Sequence, residues 1–211
     1  MVRAVFLDAL GTLVELEPPW IALRRSVPGE IGDERLEEAL RAEMSYYRDH
    51  AHEGRDEESL RDLRERCAAL VSERLGAEVS ADQLVAAIRF RSYDDAAPAL
   101  REQRGRGRRL IAVSNWDCSL PSVLERCGLG GLLDGVVTSA GAGARKPDPA
   151  IFEAALELAG CGPDEAVHVG DTPDEDVAGA RAAGIRPLLI DRDGNGDISS
   201  LAEIDQHLRD D

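Results

Sequence analysis

Four short stretches of the sequence carry acidic, hydroxyl, amide and basic side chains whose combination could perform chemistry on a charged group. Their polar residues, in chain order, are Asp8 with Thr12, Ser114 with Asn115, Lys146, and Asp171 with Asp176. A carboxylate can attack an electrophile, a hydroxyl or amide can bind anionic oxygens, and an ammonium can neutralise negative charge. A further carboxylate can help to hold a hard cation such as Mg²⁺. Together these residue types suit attack on a phosphoryl group.

Lys146 stands out because it is the only lysine in the sequence, in which every other strongly basic residue is arginine. The lysine ammonium is a compact point charge, whereas the arginine guanidinium is a planar fork. A position that keeps lysine against this general preference is therefore a candidate for a role that needs the point charge.

The elements that would position these residues follow from the hydrophobic pattern. Residues 2–8 form a short apolar run that ends at Asp8 and predicts a strand. Residues 16–94 place apolar residues at helical spacing between charged ones, which predicts a helical segment, here called the insert. From Arg109 onward, strand-like apolar runs alternate with helical patterns. This alternation predicts a parallel sheet that is covered by helices on both faces.

The first strand fits only in that same sheet, so we predict an α/β fold with a doubly wound parallel sheet and an inserted α-helical domain. The core domain is predicted to comprise residues 1–15 and 95–211, and the insert, residues 16–94, is predicted to cover it as a cap. In open α/β sheets the functional site lies at the carboxyl ends of the strands. The polar stretches lie just past predicted strand ends, so we expect them to converge.

The composition limits the classes of partner. A formal net charge of -16 and a pI of about 4.7 argue against binding to nucleic acid or to anionic membrane surfaces, which attract proteins rich in Lys and Arg. No stretch nears the ~18 apolar residues of a membrane span, and the first residues do not resemble a signal peptide, so we expect a cytoplasmic protein. The four cysteines have no CxxC spacing and are expected to be reduced thiols. The sequence does not indicate an oligomeric state.

The four stretches resemble, in their order and in their position at strand ends, the motifs of the haloacid dehalogenase superfamily of hydrolases. The resemblance covers essentially the whole chain, including a helical cap inserted between the first and second motifs. It implies a Rossmann-type core and a mechanism in which Asp8 is the nucleophile and forms an aspartyl intermediate that water later hydrolyses. It also implies a small phosphorylated or halogenated molecule as the substrate.

Roles for the substrate-binding residues follow from the same resemblance. Thr12 and Ser114 would hold the phosphoryl oxygens, and Asn115 would offer its backbone amide. Lys146 would neutralise the negative charge of the group under attack and would thereby take part in catalysis.

A metal site is implied as well, because the phosphatases of the superfamily bind Mg²⁺. The ligands implied in this sequence are Asp8, the backbone carbonyl of Leu10, and Asp171. Asp176, five residues after Asp171, is implied to support either Lys146 or a water bound to the metal.

Leu10 is where the sequence departs from the phosphatase pattern. Phosphatases of the superfamily carry Asp two residues after the nucleophile, as the general acid for the leaving alkoxide and then as the base for water. General acid–base help is worth ~10²–10⁴ in rate, and leucine can provide none of it. Alkyl phosphates are therefore expected to be poor substrates unless another group substitutes.

Three functions remain compatible with this loss. The first is a phosphatase for good leaving groups, such as acyl or aryl phosphates. The second is a 2-haloacid dehalogenase, in which Asp8 attacks carbon and halide leaves without a proton; the DALGT stretch resembles that branch, although its aromatic residue is missing. The acidic GDTPDED stretch favours the phosphatase, since dehalogenases need no metal. The third is a non-catalytic phosphate-binding or regulatory protein.

Overall fold

A computed structural model describes residues 1–208 and contains seven β-strands and nine α-helices within them. The strands are β1 (Ala4–Leu7), β2 (Val14–Leu16), β3 (Phe90–Ser92), β4 (Arg109–Ser114), β5 (Gly135–Thr138), β6 (Ala166–Gly170) and β7 (Arg186–Leu189). The helices are α1 (Pro19–Leu23), α2 (Asp33–His50), α3 (Glu57–Leu75), α4 (Ala81–Ala87), α5 (Ala96–Gly105), α6 (Leu120–Arg126), α7 (Ser139–Ala142), α8 (Pro149–Ala159) and α9 (Ala178–Ala182).

Five strands form one parallel sheet in the order β5-β4-β1-β6-β7, with the first strand of the chain at its centre. Leu7, the last residue of β1, is level with Ala112 of β4 and Val169 of β6. Because these neighbouring strands run in the same direction and in register, their carboxyl ends meet at one edge of the sheet. The predicted α/β fold with a parallel sheet is confirmed.

Both faces of the sheet are buried, because side chains alternate across a strand. Val5 and Leu7 of β1 belong to a hydrophobic cluster that includes residues of α5 and α6. Ala4 and Phe6 belong to a second cluster that includes residues of α8 and α9. The sheet is therefore covered on both sides, as the doubly wound pattern requires.

The insert has a hydrophobic cluster of its own, which runs from Leu23 to Ala87 and lies between helices α1 to α4. Helix α4 begins with a capping box: the Ser80 hydroxyl accepts from the Gln83 amide at 3.2 Å, and the Gln83 side chain accepts from the Ser80 amide at 2.9 Å. Such caps satisfy backbone groups that a helix end leaves unpaired. Within the described residues, no helix combines the length and the apolar character needed to cross a lipid bilayer.

An antiparallel ribbon of β2 and β3 connects the insert to the core, with Leu16 paired to Phe90. The sequence pattern predicted no strand in this region, because three residues are too few to display a period of two. The predicted boundaries at residues 16 and 94 lie in β2 and just after β3. The division into core domain and cap stays a prediction.

Candidate active site

The Lys146 ammonium joins two of the predicted acids at the carboxyl edge of the sheet. Its Nζ lies 2.6 Å from Asp8 Oδ1 and 2.6 Å from Asp176 Oδ1, and its side chain is 2% exposed. Burial disfavours the charged ammonium, but Asp8 and Asp176 outweigh that effect and raise the pKa of Lys146. The only lysine of the sequence is therefore a buried, charged bridge between two carboxylates.

Asp176 is held by donors from three parts of the core. Besides Lys146, His168 Nε2 lies 2.7 Å from Asp176 Oδ1, and the Thr172 backbone amide donates to Oδ2 at 3.0 Å. Burial opposes its ionisation, yet Lys146 and His168 prevail and lower the pKa of Asp176 below its usual range. A Cβ at Gly170 would lie 2.1 Å from the Asp176 carboxyl carbon, so this close approach requires glycine.

Asn115 positions Lys146 through the backbone. The Lys146 amide donates to Asn115 Oδ1 at 2.7 Å, and Asn115 Nδ2 donates to the Lys146 carbonyl at 3.1 Å. Nδ2 also donates to Glu175 Oε2 at 2.9 Å. The role of the Asn115 backbone amide in binding phosphate stays a prediction. The sequence alone reveals neither this side-chain role of Asn115 nor the contribution of Glu175.

The hydroxyl of Thr12, which lies in the first loop and is predicted to bind phosphoryl oxygens, is available for a ligand. Thr12 is fully buried, and its Oγ1 has no hydrogen-bond partner among the described residues. Its backbone carbonyl accepts from Arg192 Nη2 at 2.7 Å, and Arg192 is held in turn by Asp95 at 2.6 Å. Ser114 is also buried, and it acts to lower the pKa of Asp8, against the larger effect of burial. A buried hydroxyl without a partner is costly unless a ligand satisfies it.

Three carboxylates converge in a way that fits a divalent cation. One oxygen each from Asp8, Asp171 and Asp176 lies within 4.8 Å of the others. The pKa of Asp171 is raised to about 6, mainly because the carboxyl is partly desolvated. The negative charges of Asp8 and Asp176 contribute less to the same effect. Burial likewise raises the pKa of Asp8, although Lys146 opposes this. Hard oxygen ligands that crowd negative charge are those that Mg²⁺ prefers.

The first loop is shaped to bring Asp171 close to Asp8. Gly11 has a φ of +85°, and a Cβ there would lie 2.1 Å from Asp171 Oδ2. Glycine is thus required both for the backbone conformation and for the approach of the carboxylate. The carbonyl of Leu10, predicted as a further metal ligand, stays a prediction.

A cavity of about 470 Å³ opens above this polar cluster, between the sheet edge and the insert. Asp8, Ser114 and Asn115 line it from the core. The insert contributes side chains from α2, α3 and α4. The Tyr47 hydroxyl of α2 donates to Asp117 Oδ2 at 2.7 Å and so connects the insert to the loop after β4. The geometry allows the Asp8 carboxylate to meet a substrate that enters through this cavity.

Comparison with known proteins matches the chain to one family of enzymes. The sequence model of the haloacid dehalogenase-like hydrolases matches residues 2–184. Human haloacid dehalogenase-like hydrolase domain-containing protein 3 is 46% identical over 97 residues, which are 46% of this chain and 39% of that protein. Phosphoserine phosphatase of Thermus thermophilus is 40% identical over 105 residues, 49% of this chain and 42% of that one.

A solved structure agrees over nearly the full length. The crystal structure of a HAD phosphatase from Thermococcus onnurineus has a TM-score of 0.71 and 26% identity, and the match covers 99% of this chain and 98% of that one. The two sequence matches are partial, because each covers about half of this chain and about two fifths of the relative.

Proposed function

The chain belongs to the haloacid dehalogenase-like hydrolases, and from this premise we propose that it is a Mg²⁺-dependent phosphatase that works through an aspartyl intermediate on Asp8. The observation that carries the proposal is the buried Lys146 ammonium, which lies 2.6 Å from Oδ1 of Asp8. Asp8 in turn lines the cavity. Relatives and a structural neighbour that are named as phosphatases support it. We propose in addition that the insert serves as the cap over this site.

In the first step, a carboxylate oxygen of Asp8 attacks phosphorus and the bond from phosphorus to the leaving oxygen breaks. The leaving group departs with that electron pair. Lys146 offsets the negative charge of the transferred group, while the unpartnered Thr12 hydroxyl and Ser114 donate to its oxygens. In the second step, water attacks phosphorus, which releases inorganic phosphate and a proton and restores the Asp8 carboxylate.

Asp8 and Asp171, with the Leu10 carbonyl, are the residues that would hold Mg²⁺. When bound, the ion supplies positive charge that favours ionised carboxylates and neutralises the phosphoryl oxygens. Asp176 is committed to Lys146, His168 and the Thr172 amide, and this suits a residue that supports the ammonium.

Leu10 restricts the leaving groups that this machinery handles. A departing alkoxide needs a proton, whereas an acyl or aryl oxyanion departs readily without one. We therefore expect p-nitrophenyl phosphate and acetyl phosphate to be hydrolysed much faster than alkyl phosphates.

The test is release of inorganic phosphate from these two substrates, with Mg²⁺ and with a chelator. We expect hydrolysis with Mg²⁺ and a loss of at least ~100-fold when the metal is removed. Release of halide from 2-chloropropionate is measured in parallel. Halide release that persists in the chelator, without any phosphate release, would replace the phosphatase by a 2-haloacid dehalogenase.

The dehalogenase is retained as the second candidate because of Leu10. The leucine side chain faces the cavity and is 37% exposed. An apolar residue at this position suits a reaction in which Asp8 attacks carbon and halide leaves without a proton. Tight phosphate binding without turnover on either substrate class would instead indicate a non-catalytic member of the family.

The affinity for Mg²⁺ is expected to fall in mild acid. A carboxylate binds the ion in its ionised form, and the pKa of Asp171 is raised to about 6. Protonation below that pH competes with the metal, so the apparent Kd should rise by about tenfold per pH unit below 6. Calorimetric titration of Mg²⁺ at pH 7.5, 6 and 5 measures this.

Two variants make the test specific to one carboxylate. Asp171→Asn should bind Mg²⁺ weakly, and its affinity should change less between pH 7.5 and 5 than that of the wild type. Asp174→Asn removes an exposed carboxylate from the same segment and should behave as the wild type. A wild-type affinity that stays constant between pH 7.5 and 5 would rule out Asp171 as a ligand.

A further inference from the structure

The cavity above Asp8 has a polar floor and predominantly apolar walls. The wall residues come from the first loop, the ribbon and α4 with its C-terminal flank, and they are Leu10, Leu16, Leu84, Val85, Ile88 and Phe90. Leu10 and Val85 are each 37% exposed, which places them among the five exposed large hydrophobic residues of the described chain. Apolar surface that faces water in a cavity is unfavourable until a ligand covers it.

One carboxyl group faces this apolar space from the insert. Glu43 of α2 lines the cavity, is 3% exposed, and forms no ion pair with any described residue. Its polar neighbour is the Cys67 thiol of α3, and burial raises the pKa of Glu43. A buried carboxyl without a cation is costly to keep charged, and its protonated form can donate a hydrogen bond to a ligand.

Arginines also line the cavity, but they do not alter the character of its walls. Arg48 and Arg126 are exposed, and Arg64 is half-buried. The side chains of these three arginines form no hydrogen bond or ion pair within residues 1–208. In a chain with a net charge of -16, unpaired arginines at a cavity can attract an anionic substrate to it.

We propose that the leaving group of the substrate is a predominantly apolar body, aromatic or branched, that carries one oxygen acceptor to which Glu43 donates. This inference rests on the proposed phosphatase function and names its substrate class. A small zwitterionic leaving group such as serine would leave most of the apolar wall of the cavity uncovered. The similarity to phosphoserine phosphatase covers 49% of this chain, so it leaves the choice of leaving group open.

Phosphonates test the proposal, because their carbon–phosphorus bond is not hydrolysed and binding is measured without turnover. Calorimetry with Mg²⁺ compares phenylphosphonate with 4-tert-butylphenylphosphonate. We expect the larger ligand to bind about 10- to 100-fold more tightly, because it buries additional carbon atoms. Val85→Ser should reduce this preference severalfold, whereas Ile21→Ser, at an exposed residue outside the cavity lining, should leave it unchanged.

The role of Glu43 is tested with two ligands of nearly equal shape, 4-acetylphenylphosphonate and 4-isopropenylphenylphosphonate, which differ by a carbonyl oxygen in place of a methylene. We expect the wild type to prefer the acetyl ligand by about 5- to 10-fold. Glu43→Leu should lose this preference and Glu43→Gln should keep much of it, because the amide still donates. Glu38→Leu, an exposed position on the same helix, is the matched control and should retain the full preference.

The outcomes separate this inference from the proposed function. Hydrolysis of p-nitrophenyl phosphate by a protein that binds the phenyl and tert-butylphenyl ligands equally would overturn the apolar leaving group and leave the phosphatase intact. An acetyl preference that survives Glu43→Leu would overturn the role of Glu43. A strong preference for the larger phosphonate without any turnover would contradict the phosphatase and leave the ligand class standing.

Discussion

Replacement of Asp8 by Asn is expected to lower kcat for p-nitrophenyl phosphate by about 10⁴- to 10⁶-fold, the range seen when a catalytic nucleophile is removed. The amide cannot form the aspartyl intermediate, and the remaining groups can only bind and orient the ester. Lys146 keeps Asp176 as its partner at 2.6 Å, so the buried ammonium is not left without a counter-charge and the fold should persist. Phosphate release under saturating substrate and Mg²⁺ measures the effect.

Asp174→Asn is the control for this variant, because it removes one carboxylate from the same edge of the sheet at an exposed position. It should retain wild-type kcat. Circular dichroism and thermal unfolding of both variants separate loss of chemistry from loss of structure. If folded Asp8→Asn hydrolyses the ester within tenfold of the wild-type rate, Asp8 is not the nucleophile.

The sequence was sufficient to predict the sheet, because its strands are short apolar runs in strict alternation with helical patterns. The run that ends at Asp8 has four fully or almost fully buried strand residues, Ala4–Leu7, as expected for a central strand. The ribbon of β2 and β3 could not be predicted from the sequence, because each of its strands has only three residues. Only their pairing in the folded chain identifies them as strands.

The convergence of the polar residues was predictable for a geometric reason. Parallel strands in register place their carboxyl ends at one edge, and that edge collects Asp8, Ser114 and Asp171 whatever their separation in sequence. The preference of the sequence for arginine then singles out its one lysine, Lys146, whose Nζ lies 2.6 Å from Asp8 Oδ1. Their catalytic and binding roles stay predictions.

Residues that support the site were harder to recognise. His168 contacts Asp176, yet in the sequence it is one polar residue within the apolar strand AVHVG, and only that anomaly could have drawn notice. Glu175 lies in a run of acids whose members cannot be distinguished by type. Glu43 could not be recognised either, because α2 carries charged residues around much of its circumference. Only the packing of the helix shows which of them faces the cavity.

Replacement of Leu10 by Asp is expected to raise kcat/KM for alkyl phosphates by ~10²–10⁴, which corresponds to roughly 3–5 kcal/mol of the barrier. The new carboxyl would stand two residues after the nucleophile and could give a proton to the departing alkoxide. Leu10 is 37% exposed and lines the cavity, so the substitution exchanges a solvent-facing side chain and should cost little stability. Hydrolysis of glycerol 3-phosphate, compared with p-nitrophenyl phosphate, measures the gain.

The comparison between leaving groups decides the cause of that gain. Proton donation helps a basic alkoxide far more than p-nitrophenolate, so the two rates should draw together in Leu10→Asp while the p-nitrophenyl rate itself changes little. Leu10→Asn has nearly the same shape and polarity but no ionisable proton, and it should show no such convergence. If Asn raises the alkyl rate as much as Asp does, the effect is one of cavity polarity. If neither variant raises it, a donor other than residue 10 already protonates the leaving group, and the restriction to acyl and aryl phosphates is wrong.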